Sequence, residues 1–122
     1  NCFTMKDNNL ILAKSEDFAV RIIKLYRHLY ENQSEKVLSK QLLRSGTSIG
    51  ANINEAICGI SKRDFLAKMH IAFKECNETR YWLRLLHRTG YLSDAEYNSI
   101  EKDCADIYYI LNNITKTTSQ TI

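Results

Sequence analysis

The run Gln41-Leu42-Leu43-Arg44-Ser45-Gly46-Thr47-Ser48-Ile49-Gly50-Ala51-Asn52-Ile53-Asn54-Glu55 forms a helix with two unlike faces. At about 100° per residue, Leu42, Ile49, Ile53 and Ala56 gather on one side. Gln41, Arg44, Ser48, Asn52 and Glu55 gather on the other. A solvated helix face is usually built from Lys, Glu and Gln. Here the polar side consists of short residues, Ser48, Ala51 and Asn52 with Gly59 just beyond, around one Arg and one Glu. Short side chains let another helix approach closely, so this face reads as a contact surface.

Working outward, the 122-residue chain resolves into four helical segments at about 9–31, 35–58, 62–89 and 94–115 within a single domain, 1–122. Ile11, Phe18, Ile22, Leu25 and Leu29 keep the three- and four-residue spacing of one buried stripe. Glu31-Asn32-Gln33-Ser34 ends the first helix, with Ser34 expected to accept from free N–H groups of the second. Ser61 is placed to cap the third helix, and Gly90 suits the left-handed residue that closes it. Ser93-Asp94-Ala95-Glu96 reads as a capping box for the fourth. In that helix Tyr97, Ile100, Cys104, Ile107, Leu111 and Ile114 hold a regular spacing. The Thr-rich tail 116–122 is poor in apolar residues and is expected to fray. No proline interrupts the helices, and short connections make neighbours antiparallel. The expected fold is all-α, an antiparallel up-and-down four-helix bundle.

The third helix carries more apolar surface than one bundle core absorbs. Phe65, Met69, Ala72, Cys76, Leu83 and Leu86 make one face; Ile71, Glu75, Glu78, Trp82 and Leu85 make another. The carboxylates Glu75 and Glu78 lie inside that second stripe, where an unpaired charge costs several kcal/mol. Arg44 is the natural partner, with Asn52 in support. These groups are expected to form a buried network between the second and third helices, within or across subunits, with Trp82 in the same surface.

Composition excludes several classes. Hydrophobic content of 44% and charged content of 25% are ordinary for a globular protein. No apolar run of about 18 residues marks a membrane span, and no basic stretch followed by an apolar core marks a secretory signal, so a cytoplasmic protein is expected. Cys2, Cys58, Cys76 and Cys104 are widely spaced and read as small buried hydrophobes, three of them on apolar helical faces. A di-iron bundle needs Glu-x-x-His pairs, and none of His28, His70 or His87 has a carboxylate three residues before it. A carboxylate metal site would have to be assembled from Glu75, Glu78 and Glu55. Phosphate-cradling glycine loops, Gly-x-Ser-x-Gly elbows and HExxH are absent from the sequence. No catalytic residue, no metal ligand and no cofactor is assigned.

The charge balance is mildly basic, +3. Three stripes carry it: Arg21, Lys24 and Arg27 with His28; Lys36 and Lys40 leading to Arg44; and Arg80, Arg84 and Arg88 with His87. The carboxylates Asp94, Glu96, Glu101, Asp103 and Asp106 concentrate on the fourth helix. Such segregation turns one side toward phosphates, which makes RNA or DNA a candidate partner, bound through its backbone. Ordinary solvated faces and a protein-interaction scaffold using Tyr26, Tyr30, Tyr81 and Tyr91 are the other readings.

The run 41–55 also resembles the signature of a bacterial four-helix-bundle family that includes proteins encoded in intervening sequences of 23S ribosomal RNA genes and is often labelled ribosomal. Asp64-Phe65, Ile71-Ala72, Lys74-Glu75-Cys76-Asn77-Glu78-Thr79 and Trp82-Leu83 fit its third helix, so the resemblance spans about residues 9–115. It departs at Ala56, where many members have Gly, and at Glu75, where many have Ser. The resemblance implies a cyclic homopentamer without established enzymatic activity. It also implies interface or structural roles for Arg44, Ser48, Asn52, Glu55 and Glu78. A related accessory protein of diversity-generating retroelements shares the ring and binds nucleic acid through basic surfaces.

Overall fold

Apolar stripes at helical spacing fold against one another as an antiparallel up-and-down bundle. The computed structural model describes residues 5–121. Cys2 and Ile122 lie outside the described residues. Helix α1 spans Met5–Arg27 and continues as a π turn, His28–Asn32; α2 is Leu38–Ile57, α3 Lys62–Arg88 and α4 Asp94–Thr121. Each helix packs on the next, while α1 and α4 touch only lightly.

The core is the set of stripes read from the sequence. Ile11, Phe18, Ile22 and Leu29 meet Leu42, Ile49 and Ile53, and both meet Met69, Cys76, Leu83 and Leu86, then Ile100, Cys104, Ile107 and Leu111. Leu25 and Phe65 pack at its margin.

The helix ends follow capping chemistry with one substitution. Ser61 Oγ accepts from Asp64 N at 3.1 Å, and Gly90 takes the left-handed conformation, φ 87°. The capping box is complete: Ser93 N donates to Glu96 Oε1 at 2.8 Å, and Glu96 N donates to Ser93 Oγ at 3.1 Å. The backbone and hydroxyl of Ser93 hold the Glu96 carboxyl below its ordinary range. Ser34 does not cap α2. It adopts φ 54° in the connection, and the buried Glu35 takes the role instead, its carboxylate accepting from Ser39 N at 2.7 Å. The second helix accordingly starts at Leu38 rather than near residue 35.

Two further expectations are corrected. The tail does not fray before Thr121: α4 runs on as helix, with Thr115 and Thr118 buried. Thr115 Oγ1 donates to Leu111 O at 3.0 Å, which lets a polar β-branched residue enter a packed surface. Cys58 is exposed, because it sits at the C-terminal cap of α2 beyond the last core turn. Cys76 and Cys104 are buried as expected, with their sulfurs 3.7 Å apart across the α3–α4 seam. That contact and burial push the Cys104 thiol far above its ordinary range.

Helices α1 and α2 pack tightly at Gly46. A Cβ there would stand 2.8 Å from Ile22 Cγ2 and 3.3 Å from Ile22 Cβ, whereas at Gly50 the nearest atom would be Ser15 Oγ at 3.4 Å. Ile22 is β-branched and stiff in a helix, so it cannot move aside cheaply. Gly46→Ala is therefore expected to lose about 1–3 kcal/mol to overpacking, more than the helix-propensity gain of about 0.5–1 kcal/mol. Gly50→Ala keeps that gain. Urea unfolding of the two variants should shift the midpoint in opposite directions.

Candidate interface and nucleic-acid surfaces

On the α2–α3 face, Arg44 reaches both acidic residues of α3. Its Nη1 donates to Glu75 Oε1 at 3.2 Å, and its Nη2 donates to Glu78 Oε2. Trp82 Nε1 donates to the same Glu78 oxygen at 2.9 Å, and Gln41 Oε1 accepts from Arg44 Nε at 3.5 Å. The inter-helix network thus forms inside one chain, but at its surface: the side chains of Arg44, Glu78 and Glu75 are 48%, 36% and 22% exposed. Full burial is not reached within one chain, because no further helix of this bundle covers the face. Water screens such pairs, and each is worth about 1 kcal/mol or less.

Asn52 stays out of the network. Its Nδ2 donates to Ser48 O at 2.8 Å, and Ser48 Oγ donates to Arg44 O at 2.6 Å. Both polar side chains fold back on their own helix, so the ridge Ser48–Ala51–Asn52 is low and flat. Glu55 pairs with Lys68 at 2.9 Å further along the same seam, and Ile71 is left 40% exposed beside it. Glu75, Glu78 and Glu55 are each committed to a cation. Among the described residues no group of three or more His, Cys, Asp and Glu is arranged to hold a metal, so the carboxylates present do not fit a metal centre.

The eight cations read as candidate phosphate contacts divide into two sets. Those facing α4 are neutralised by its carboxylates. Arg21 Nη1 meets Asp103 Oδ2 at 2.6 Å and Arg21 Nη2 donates to Ser99 Oγ at 3.1 Å. Arg80 Nη2 and Nε donate to Glu101 Oε1 at 2.6 Å and 2.9 Å. Partial burial opposes the Arg80 charge, but the hydrogen bonds and charge of Glu101 outweigh it and raise the guanidinium above its ordinary range. Burial raises the Tyr97 phenol, with the Glu101 charge adding to it. His87 Nε2 lies 2.6 Å from Asp94 Oδ1.

The second set comprises Lys24, Arg27, Lys36, Lys40, Arg84 and Arg88, all exposed and in no ion pair among the described residues. The antiparallel register, seen in Arg44 against Glu78 and in His87 against Asp94, brings these residues toward one end of the bundle. Of the acidic groups there, Glu35 and Glu96 cap helices and Asp94 meets His87, while Glu31 is exposed and in no ion pair among the described residues. Lys36 and Lys40 stand 5.3 Å and 5.7 Å from the Tyr30 ring centroid, and Tyr26 packs on Tyr30 at 5.5 Å. Sequence reasoning missed the neutralisation of Arg21 and Arg80, since their partners lie on another helix.

The sequence profile of the 23S rRNA-intervening sequence protein family matches residues 7–113. The chain belongs to that family. The resemblance read from residues 41–55 and the third-helix motif is thereby borne out. Among solved structures, the chain is similar to a protein of the S23 ribosomal protein family from Bacteroides thetaiotaomicron VPI-5482, described as having unknown function. The two are 52% identical, the match covers 90% of this chain and 98% of the other, and the TM-score is 0.88. A comparison with curated proteins finds no match. Neither the family's description nor the neighbour's carries an enzymatic activity. Among the described residues no helix is long and apolar enough to cross a membrane.

Proposed function

We propose that this member of the 23S rRNA-intervening sequence protein family is a non-catalytic, cytoplasmic bundle protein. It assembles as a homopentameric ring through its α2–α3 face and binds RNA or DNA through the phosphate backbone. One observation carries the ligand: the cluster of unneutralised cations, Lys24, Arg27, Lys36, Lys40, Arg84 and Arg88, toward one end of the bundle. Single patches of this size bind weakly. Repetition around a ring raises the effective concentration of each patch and adds avidity. The half-exposed Arg44–Glu75–Glu78–Trp82 network, the flat Ser48–Asn52 ridge and the exposed Ile71 support self-association. A second subunit seated there would exclude water from the ion pairs and from Ile71 together.

Titration of RNA and of DNA at two salt concentrations tests the ligand. Binding should weaken steeply with salt, log K falling by about 0.7–0.9 per phosphate neutralised, with little dependence on base sequence. Failure to retain either polymer at low salt would remove the nucleic-acid assignment. It would then favour a protein scaffold, for which the exposed Tyr81 and Tyr109 are the contact points. Native mass spectrometry tests the assembly. Arg44→Ala should dissociate the ring, because it leaves Glu75 and Glu78 as unpaired charges in the interface. An unchanged mass and an unchanged thermal midpoint would remove the α2–α3 face from that role.

A further inference from the structure

We infer that the groove between α3 and α4 is a single-stranded nucleic-acid site in which unpaired bases stack on Tyr81, and on Tyr109 beside the groove, while Arg84 and Lys74 hold the phosphates. This rests on the nucleic-acid reading above and gives it a strand class and a place. The groove is a cleft of about 520 Å³ lined by Phe73, Lys74, Asn77, Tyr81, Arg84 and Tyr108, with Glu78 at its edge. That is within the range of clefts that take small ligands, about 300–1,000 Å³.

Aromatic rings and cations share this face at short spacing. Phe73 packs on Tyr108 at 4.8 Å and Tyr108 on Tyr109 at 5.6 Å. Arg80 lies over the Tyr108 ring at 4.9 Å, and Arg84 over the Tyr81 ring at 5.7 Å. Tyr81 also meets Trp82 edge-on at 5.1 Å. Tyr81 and Tyr109 are nevertheless 45% and 60% exposed, so both offer ring surface to a base, whereas Tyr108 is already engaged by Phe73 and Arg80.

The electrostatics select the ligand. Glu78, the carboxylate at the edge, is engaged by Arg44 and Trp82, and Glu101 is engaged by Arg80. Lys74 and Arg84 are exposed and form no ion pair among the described residues. A surface of open rings with free cations fits a polyanion that offers flat faces, and single strands do so while duplexes hide their bases in the stack. Base–aromatic stacking tolerates any sequence, since every base has a π-face.

The test is fluorescence anisotropy of the full chain with labelled oligo(rU), oligo(dT) and a mixed-sequence duplex at low and moderate salt. Wild-type protein should prefer the single strands. Tyr81→Ala should weaken single-strand binding by about tenfold or more and leave duplex binding unchanged. Tyr81→Phe should retain the affinity, because the ring and not the hydroxyl carries it. Lys40→Ala, outside the groove, should weaken single strands and duplex alike. Helical circular dichroism confirms that each variant is folded. If the polymers bind but Tyr81→Ala and Tyr109→Ala bind single strands as wild type does, the groove is not the site and the backbone-binding reading stands. If no polymer binds at low salt, both readings fall.

Discussion

Phe18→Ala should lower the free energy of unfolding by about 3–5 kcal/mol, the cost of removing a fully packed aromatic side chain and leaving a cavity. Phe18 is buried at the middle of α1. Its helix is gripped by α2 on one side and only lightly by α4 on the other, so few neighbours are placed to close over the void. The loss is a large fraction of the roughly 5–15 kcal/mol that holds a typical domain folded. Val20, two residues away and about half exposed, supplies the control. Val20→Ala should change stability by about 0.5 kcal/mol or less. Urea unfolding followed by circular dichroism, at one fixed protein concentration because assembly contributes to stability, separates the two. Equal midpoints would mean that α1 is not anchored through Phe18.

The second large effect is expected at the Arg80–Glu101 pair. Both side chains are mostly buried, 25% and 19% exposed, and the guanidinium is sandwiched between Glu101 and the Tyr108 ring. Glu101→Ala strands the charge of Arg80 in this site. A fully buried pair broken on one side costs about 3–5 kcal/mol, and the residual exposure reduces that to about 2–3 kcal/mol. Replacing both partners, Arg80→Met with Glu101→Leu, removes the stranded charge and should restore most of the loss. A double variant as unstable as Glu101→Ala would show that packing of the two stems, and not charge pairing, holds the α3–α4 seam. Because Glu101 oxygen Oε2 has no hydrogen-bond partner, the pair is already imperfectly satisfied, which favours a well-packed apolar replacement.

Local chemistry made much of the bundle readable before any coordinates. The capping box at Ser93 and Glu96, the cap at Ser61 and the left-handed Gly90 each depend on residues within a few positions of one another, and each is found as expected. Where two local candidates competed, the sequence was less decisive. Ser34 and Glu35 stand side by side, and the longer carboxylate reaches Ser39 N while Ser34 turns the chain. The tail was misread for a related reason. Thr residues count as polar, yet a Thr hydroxyl can bond back to its own helix, as Thr115 does to Leu111, and the methyl then packs.

The candidate surfaces divide in the same way. Arg44 was legible as the partner of Glu75 and Glu78 because two carboxylates inside an apolar stripe require a cation, and the structure joins all three. The residue type of Asn52 suits that network, but its amide donates to a carbonyl of its own helix at 2.8 Å. The basic stripes were visible as charge, while their neutralisation was not.

Periodicity and caps sufficed to determine four helices, their order and their buried faces, because a helix is built from interactions no more than a turn apart. Only the tertiary structure decided which charges remain free. Arg21 meets Asp103 and Arg80 meets Glu101 across helix seams, and Coulomb attraction depends on distance through space, which separation along the chain does not report.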